Sequence, residues 1–186
     1  MRIMKRVIFL SAILLLLFSC NNKPRYRIEG TVTAGVADGQ KIYLVPMTGA
    51  NWGNVDSTYA YNGKFVFEGD TERVSIIRLP FRQRMQAQEL LVVTEPGVIK
   101  VHLDTNSITS GTPQNNLIQQ WKDLTIQRNT ASNLYLSANM RHASKDSIAM
   151  LKGHADKADS TFYQFMKATI KKQPGNTIAK FFQQYL

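Results

Sequence analysis

At Pro113 the spacing of the apolar residues changes from two to about 3.6, so the chain cannot be built from one kind of element. Before that point Tyr26, Ile28 and Val32 alternate with polar neighbours, and Gly39-Gln40 leads into Lys41-Ile42-Tyr43-Leu44-Val45, which Pro46 ends. Asn62-Gly63 is the sharpest local signal, because a two-residue type I′ turn needs φ > 0 at both positions and this pair supplies it at least steric cost. It predicts a hairpin with Val55–Ala60 as one arm and Lys64–Glu68 as the other, Phe65 and Phe67 sharing a face. Further β-prone runs follow at Val74–Leu79, Glu89–Val93 and Val98–Leu103, with Glu95-Pro96-Gly97 between the last two. Short strands at regular spacing predict an antiparallel β-sandwich or partial barrel over residues 26–112.

Residues 113–186 read as helical, which makes the fold class α+β. Leu117, Trp121 and Leu124 lie on one side of a helix that continues toward Arg141. Ile148, Leu151, Ala155, Ala158, Phe162 and Phe165 recur at steps of three and four, the seam of a second helix packed along a neighbour. Asp146 near its start and Lys171 and Lys172 near its end suit the helix dipole, and Pro174-Gly175 stops it. Asn176 is the expected N-cap of a short third helix in which Ile178, Phe181, Phe182 and Leu186 share a face. A helical hairpin and a short third helix therefore close the chain.

Residues 1–19 have the form of an export signal. Arg2, Lys5 and Arg6 precede the apolar run Val7–Phe18, which is too short for the roughly 20 apolar residues of a bilayer span, and Ser19 supplies a small residue before Cys20. The segment Leu14-Leu15-Leu16-Leu17-Phe18-Ser19-Cys20 resembles the bacterial lipoprotein signal, which implies cleavage before Cys20 and acylation of that residue. Residues 20–25 then form an anchor and a polar linker containing Pro24. Cys20 is the only cysteine, so once acylated it leaves no internal disulfide, no dithiol pair and no cysteine zinc site. No acidic run follows it, which favours the periplasmic side of the outer membrane over surface display.

The formal charge is +10, of which Arg2, Lys5 and Arg6 leave with the signal. What remains is uneven: Tyr26–Thr112 carries eight basic and nine acidic side chains, Pro113–Leu186 ten basic and four acidic. An exported, lipid-anchored chain meets no nucleic acid, so its basic half fits anionic lipid, lipopolysaccharide or an acidic partner, or is simply a lysine-rich solvated helix surface.

The succession Ile28-Glu29-Gly30-Thr31-Val32, Lys41-Ile42-Tyr43-Leu44, Asp56-Ser57, Asn62-Gly63-Lys64-Phe65-Val66-Phe67-Glu68-Gly69 and Glu95-Pro96-Gly97 resembles a family of domains of unknown function found in Gram-negative envelope lipoproteins. In that family the β domain often precedes a thioredoxin-like or peroxiredoxin-type oxidoreductase domain. The resemblance implies an exported, tethered β domain. Redox activity does not follow, because Cys-x-x-Cys is missing from these residues. Family membership supplies no functional residue to carry over.

Candidate sites are few. His102, His142 and His154 lack metal-ligand spacing, and no cofactor or metal is expected. Ser57, Ser110 and Ser160 lack a nucleophile elbow, and Asp56-Ser57 reads as a pair that satisfies backbone groups at a strand entry. Trp52, between Asn51 and Gly53, is open to two readings: a ring stacking on a sugar or peptide together with Tyr59 and Tyr61, or a ring folded back over the end of the β core. The loop Arg82-Gln83-Arg84-Met85-Gln86 is open to an acidic ligand. The function expected is a non-enzymatic binding or interaction module, attached to the membrane through acyl chains on Cys20, with an envelope protein or glycan as partner. The rivals are an accessory or truncated N-terminal part of a thiol-disulfide oxidoreductase and a glycan-binding module.

Overall fold

Alternating burial along Tyr26–Val32, with Tyr26, Ile28 and Val32 inside and Arg27, Glu29 and Thr31 outside, is the pattern of a strand with one face on a core. The computed structural model describes residues 25–186; the signal segment and Cys20 lie outside the described residues. Eight strands fill the first part: β1 (Tyr26–Val32), β2 (Lys41–Pro46), β3 (Asp56–Tyr59), β4 (Lys64–Gly69), β5 (Val74–Arg78), β6 (Leu90–Val93), β7 (Gly97–Leu103) and β8 (Ile108–Ser110). They form two open four-stranded sheets, ordered β4-β1-β7-β8 and β3-β2-β5-β6. Among the described residues the helices are α1 (Pro113–Met140), α2 (Lys145–Lys172) and α3 (Thr177–Gln183), so the α+β architecture expected from the change of period is the one observed. Every strand pairing is antiparallel except β1 with β7.

The core lies between the sheets. Ile28, Phe65, Phe67, Ile99 and Leu103 from one meet Ile42, Leu44, Ile77, Leu90 and Val92 from the other, and burying each such side chain contributes about 1.5–3 kcal/mol. Gly30 is required by Phe65, its partner across the β1–β4 ladder: a Cβ on Gly30 would stand 2.1 Å from the Phe65 ring. The ring crosses the strand where a side chain would otherwise sit.

The hairpin expected at Asn62-Gly63 is corrected by the structure. Both residues take positive φ, 51° and 68°, and a single Tyr61–Lys64 bridge flanks the turn, but the two arms go to different sheets. β3 pairs with β2 and β4 pairs with β1. The turn residues fix the reversal of the chain, whereas Phe65 and Phe67 reach the core only if β4 joins β1, and mostly exposed β3 has no comparable demand. Strand β8, only three residues long, carries too little periodicity to stand out in the sequence.

Helix α1 is fastened to the sheets by its first turns. The Glu95 carboxylate accepts the backbone N–H groups of Gln114 (2.6 Å) and Asn115 (3.0 Å), donors that a helix start leaves unpaired. The Asn115 amide acts as a strand residue would, donating to Val93 O (2.7 Å) and accepting from Val93 N (3.0 Å). Gln119 Oε1 accepts from Thr109 N (2.9 Å), and Lys122 donates to Asn106 and Ser107. These contacts lead α1 along β8 from the Tyr26 end of the sheets to the Val32 end. From Lys122 to Met140 it then continues for about 27 Å at 1.5 Å per residue.

Helix α2 returns along α1 with Ala155, Phe162, Met166 and Thr169 buried, and Asp146 and Lys171-Lys172 occupy the terminal turns as expected. Trp121 stacks among Phe162, Phe181 and Phe182, with centroids 5.6–6.2 Å apart, and ties all three helices together. In α3 Ile178, Phe181 and Phe182 are buried as the period predicts. Leu186 is corrected: the helix stops at Gln183, and Leu186 is exposed. Asn176 occupies the N-cap position without a capping hydrogen bond, its amide donating to Gln173 Oε1 instead. Among the described residues no helix is long and apolar enough to cross a membrane.

Candidate functional site

The molecule has two distinct ends, and its most exposed aromatic residues, Trp52, Tyr61 and Phe81, divide between them. At the first, Arg25 O accepts from Gly97 N (3.1 Å), Gln114 donates to Glu72 (2.8 Å), and Gln114 Oε1 accepts from Ile178 N (2.9 Å), so the start of the fold, the start of α1 and the start of α3 lie together. The β2–β3 loop emerges at the same end, because Met47 N donates to Val74 O (3.0 Å) and Arg73 Nη2 to Asn54 O (2.9 Å). Tyr26 lies there too; burial first, then the nearby Asp56 carboxylate, pushes its phenol above the usual 10.0.

Trp52 sits on that loop and is fully exposed, at 101 % of its reference area. The sequence left open whether its ring folds back over the β core; it does not. The loop is well laced: Asn51 N donates to Asn54 Oδ1 (2.8 Å), Gly53 N to Asn51 Oδ1 (2.9 Å) and Asn54 Nδ2 to Gly49 O (2.9 Å). The polar side chains of the turn have found partners, and the indole has been left outside.

Tyr59 and Tyr61 belong to the opposite end. Their rings stand 6.2 Å apart, and the Lys41 ammonium lies 5.6 Å from the Tyr59 centroid. Because Leu44 pairs with Asp56 and Lys41 with Tyr59, the length of β3 separates these tyrosines from the Trp52 loop, about 10 Å at 3.3 Å per residue. The three aromatics expected to share a platform therefore form a pair and a lone ring. The end that holds the pair also carries the β5–β6 connection, where Phe81 and Met85 are 79 % and 86 % exposed. Their exposure had no sequence signal beyond Pro80, which ends the preceding run. In this connection Arg84 is engaged, donating to Leu79 O (2.9 Å) and pairing with Glu89 (3.0 Å), which reduces its availability to an acidic ligand.

The outer face of the β4-β1-β7-β8 sheet forms an open groove of about 510 Å³ between Lys64, Thr31, His102 and Ile108. Thr31 Oγ1 and His102 Nδ1 are 2.8 Å apart there. His142 lies in the α1–α2 turn with φ 52°, and His154 lies on α2 beside Leu134 and Leu151, so the three histidines stand apart. Among the described residues no three histidine, cysteine, aspartate or glutamate side chains are grouped to hold a metal ion. Asp56 opens β3 with its carboxylate accepting from Ser57 N (2.7 Å), the strand-entry role its position suggests.

A two-sheet β unit locked to the first turn of a long helix, with exposed aromatic side chains at both ends, defines a domain recognised by its fold. The chain belongs to the family described as Domain of unknown function (DUF4369), which matches residues 26–118, half of the chain. The match continues past Pro113 through Ile118 and so takes in the Glu95–Asn115 joint. No curated protein and no solved structure matches the chain.

Proposed function

We propose that the chain is a lipid-anchored module of the cell envelope, held through acyl chains on Cys20 at the periplasmic side of the outer membrane, that binds a partner and performs no chemistry of its own. The observation that carries this reading is the polarity of the fold. Arg25, five residues after Cys20, leaves at one end, while Tyr59, Tyr61, Phe81 and Met85 are exposed at the other, the end toward which α1 and α2 extend. Exposed large apolar side chains gathered at one end of a soluble unit are a common mark of a contact surface. Two or three acyl chains, at about 0.8 kcal/mol per buried methylene, give essentially permanent attachment.

A second reading is favoured by the hairpin itself, whose Leu134, Leu136, Met140 and Met150 are exposed. They suit docking of a thioredoxin-like domain or protein, for which this chain would be the accessory part.

The test is metabolic labelling with a fatty-acid analogue, with photo-cross-linking groups placed at Tyr61, Phe81 and Met140. The wild-type chain is expected to take the label and remain with membranes, and Cys20→Ala to lose both. Capture of a thioredoxin-like partner from Met140 supports the second reading, and capture of another envelope protein from Tyr61 or Phe81 the first. An unlabelled wild-type chain recovered from the cytosol would overturn the anchoring.

A further inference from the structure

The end from which Arg25 emerges joins one fully exposed indole to a set of cations. Lys171 and Lys172 close α2, one short loop before Thr177, whose hydroxyl donates to Glu72 (2.7 Å). Lys180 stands on α3 beside Pro46, Met47 and Arg73, and Met47 is 40 % exposed. The acidic residues of the same end include Asp56, Asp70, Glu72 and Glu95; the Asp56 carboxylate accepts from Ser57 N, the Glu72 carboxylate from Gln114 and Thr177, and the Glu95 carboxylate from the start of α1. An indole on a braced polar loop, with lysines at the same end of the molecule, suits the boundary between bilayer and water, where tryptophan is enriched and lysine meets anionic headgroups.

We propose that this end is a membrane-contact surface, with Trp52 seated in the interface of an anionic bilayer and Lys171, Lys172 and Lys180 against its headgroups. The proposal deepens the anchoring reading above and rests on it. The five chain steps from Cys20 to Arg25 reach at most about 18 Å, so an acyl anchor keeps this end close to the lipid surface. Headgroup charge is screened over a Debye length of about 8 Å at physiological salt, so the lysines act on it once the tethered end lies against the surface. Three of the ten basic residues of the helical half thereby serve the anchored end, while the α1–α2 turn projects away from the lipid.

The test uses the full mature protein on vesicles of phosphatidylethanolamine with phosphatidylglycerol, and on phosphatidylcholine vesicles. The readout is acrylamide quenching of Trp52, taken as the difference between wild type and Trp52→Phe, with the mass of the N-terminal residue measured in parallel. Quenching is expected to fall severalfold on the anionic vesicles, and the fall to be lost in the triple variant Lys171→Gln/Lys172→Gln/Lys180→Gln. In an unacylated Cys20→Ser form, each lysine replacement is expected to weaken partition about fivefold. An acylated protein whose Trp52 stays fully quenchable overturns the docking and leaves the anchor standing. A chain without acyl mass whose Trp52 is nevertheless shielded on anionic vesicles upholds the docking and overturns the anchor. Equal shielding on phosphatidylcholine overturns the part given to the lysines, and shielding by peptidoglycan fragments but not by vesicles overturns the membrane as occupant.

Discussion

Glu95 Oε1 accepts the backbone N–H of Asn115 at 3.0 Å, and through this contact a residue just beyond β6 holds the first turn of α1. Glu95 is 6 % exposed and Asn115 is fully buried, so neither group has water as an alternative partner. Replacing Glu95 by alanine leaves the N–H groups of Gln114 and Asn115 without their acceptor and is expected to cost about 2 kcal/mol or more. Glu95→Gln keeps an acceptor and loses the charge facing the helix N-terminus, for about 1 kcal/mol. Urea denaturation of the two variants separates acceptor from charge: equal midpoints would assign the whole effect to charge.

Gly30→Ala places a methyl group inside the Phe65 ring and is expected to destabilise by about 1–3 kcal/mol. The cost should shrink in a Phe65→Leu background, where the ring is gone. A double-mutant cycle by thermal or urea unfolding reads this coupling directly, and additive effects would place the strain elsewhere.

The two tryptophans are expected to respond in opposite ways. Trp52→Ala removes a side chain that touches solvent and changes stability by no more than about 0.5 kcal/mol. Trp121→Ala opens the aromatic cluster it shares with Phe162, Phe181 and Phe182 and costs about 3 kcal/mol. Denaturant midpoints of both variants test the contrast, and fluorescence of Trp52→Phe isolates the shielded indole.

Alkaline stability depends in part on Tyr26. Its phenol titrates higher in the folded protein than the usual 10.0, chiefly because burial disfavours phenolate, so the folded state holds its proton longer than the unfolded chain. This contribution is present below pH 10.0 and is lost as pH rises through the raised value. Lys122 acts in the opposite sense: burial pulls its ammonium below 10.5, so its penalty is relieved as pH rises toward that value. Comparing Tyr26→Phe with wild type isolates the tyrosine. The urea midpoint of wild type relative to the variant is expected to fall above about pH 10, and parallel curves would refute the assignment.

Much of the fold was legible locally. Inward alternation of Tyr26, Ile28 and Val32, the turn at Asn62-Gly63, and the seam Ile148 through Phe165 each follow from a period that a dozen residues can display. The candidate surfaces were less legible. Trp52 was conspicuous, but its exposure depends on Asn51 and Asn54 bonding within their own loop, and its separation from Tyr59 depends on the β2–β3 register. Phe81 and Met85 carried no periodic signal, and Lys171, Lys172 and Lys180 acquired a location only once Gln114 met Ile178.

Sequence alone determined the order of elements, the point at which strands give way to helices, and the faces that must be buried, because side-chain period and turn chemistry act over a few residues. Tertiary structure decided which sheet each arm of the Asn62-Gly63 turn joined, which end of the molecule each exposed ring occupied, and that Glu95 would cap a helix 19 residues away. Those outcomes depend on burial and hydrogen bonding between distant segments, and such competition is settled only when the whole core assembles.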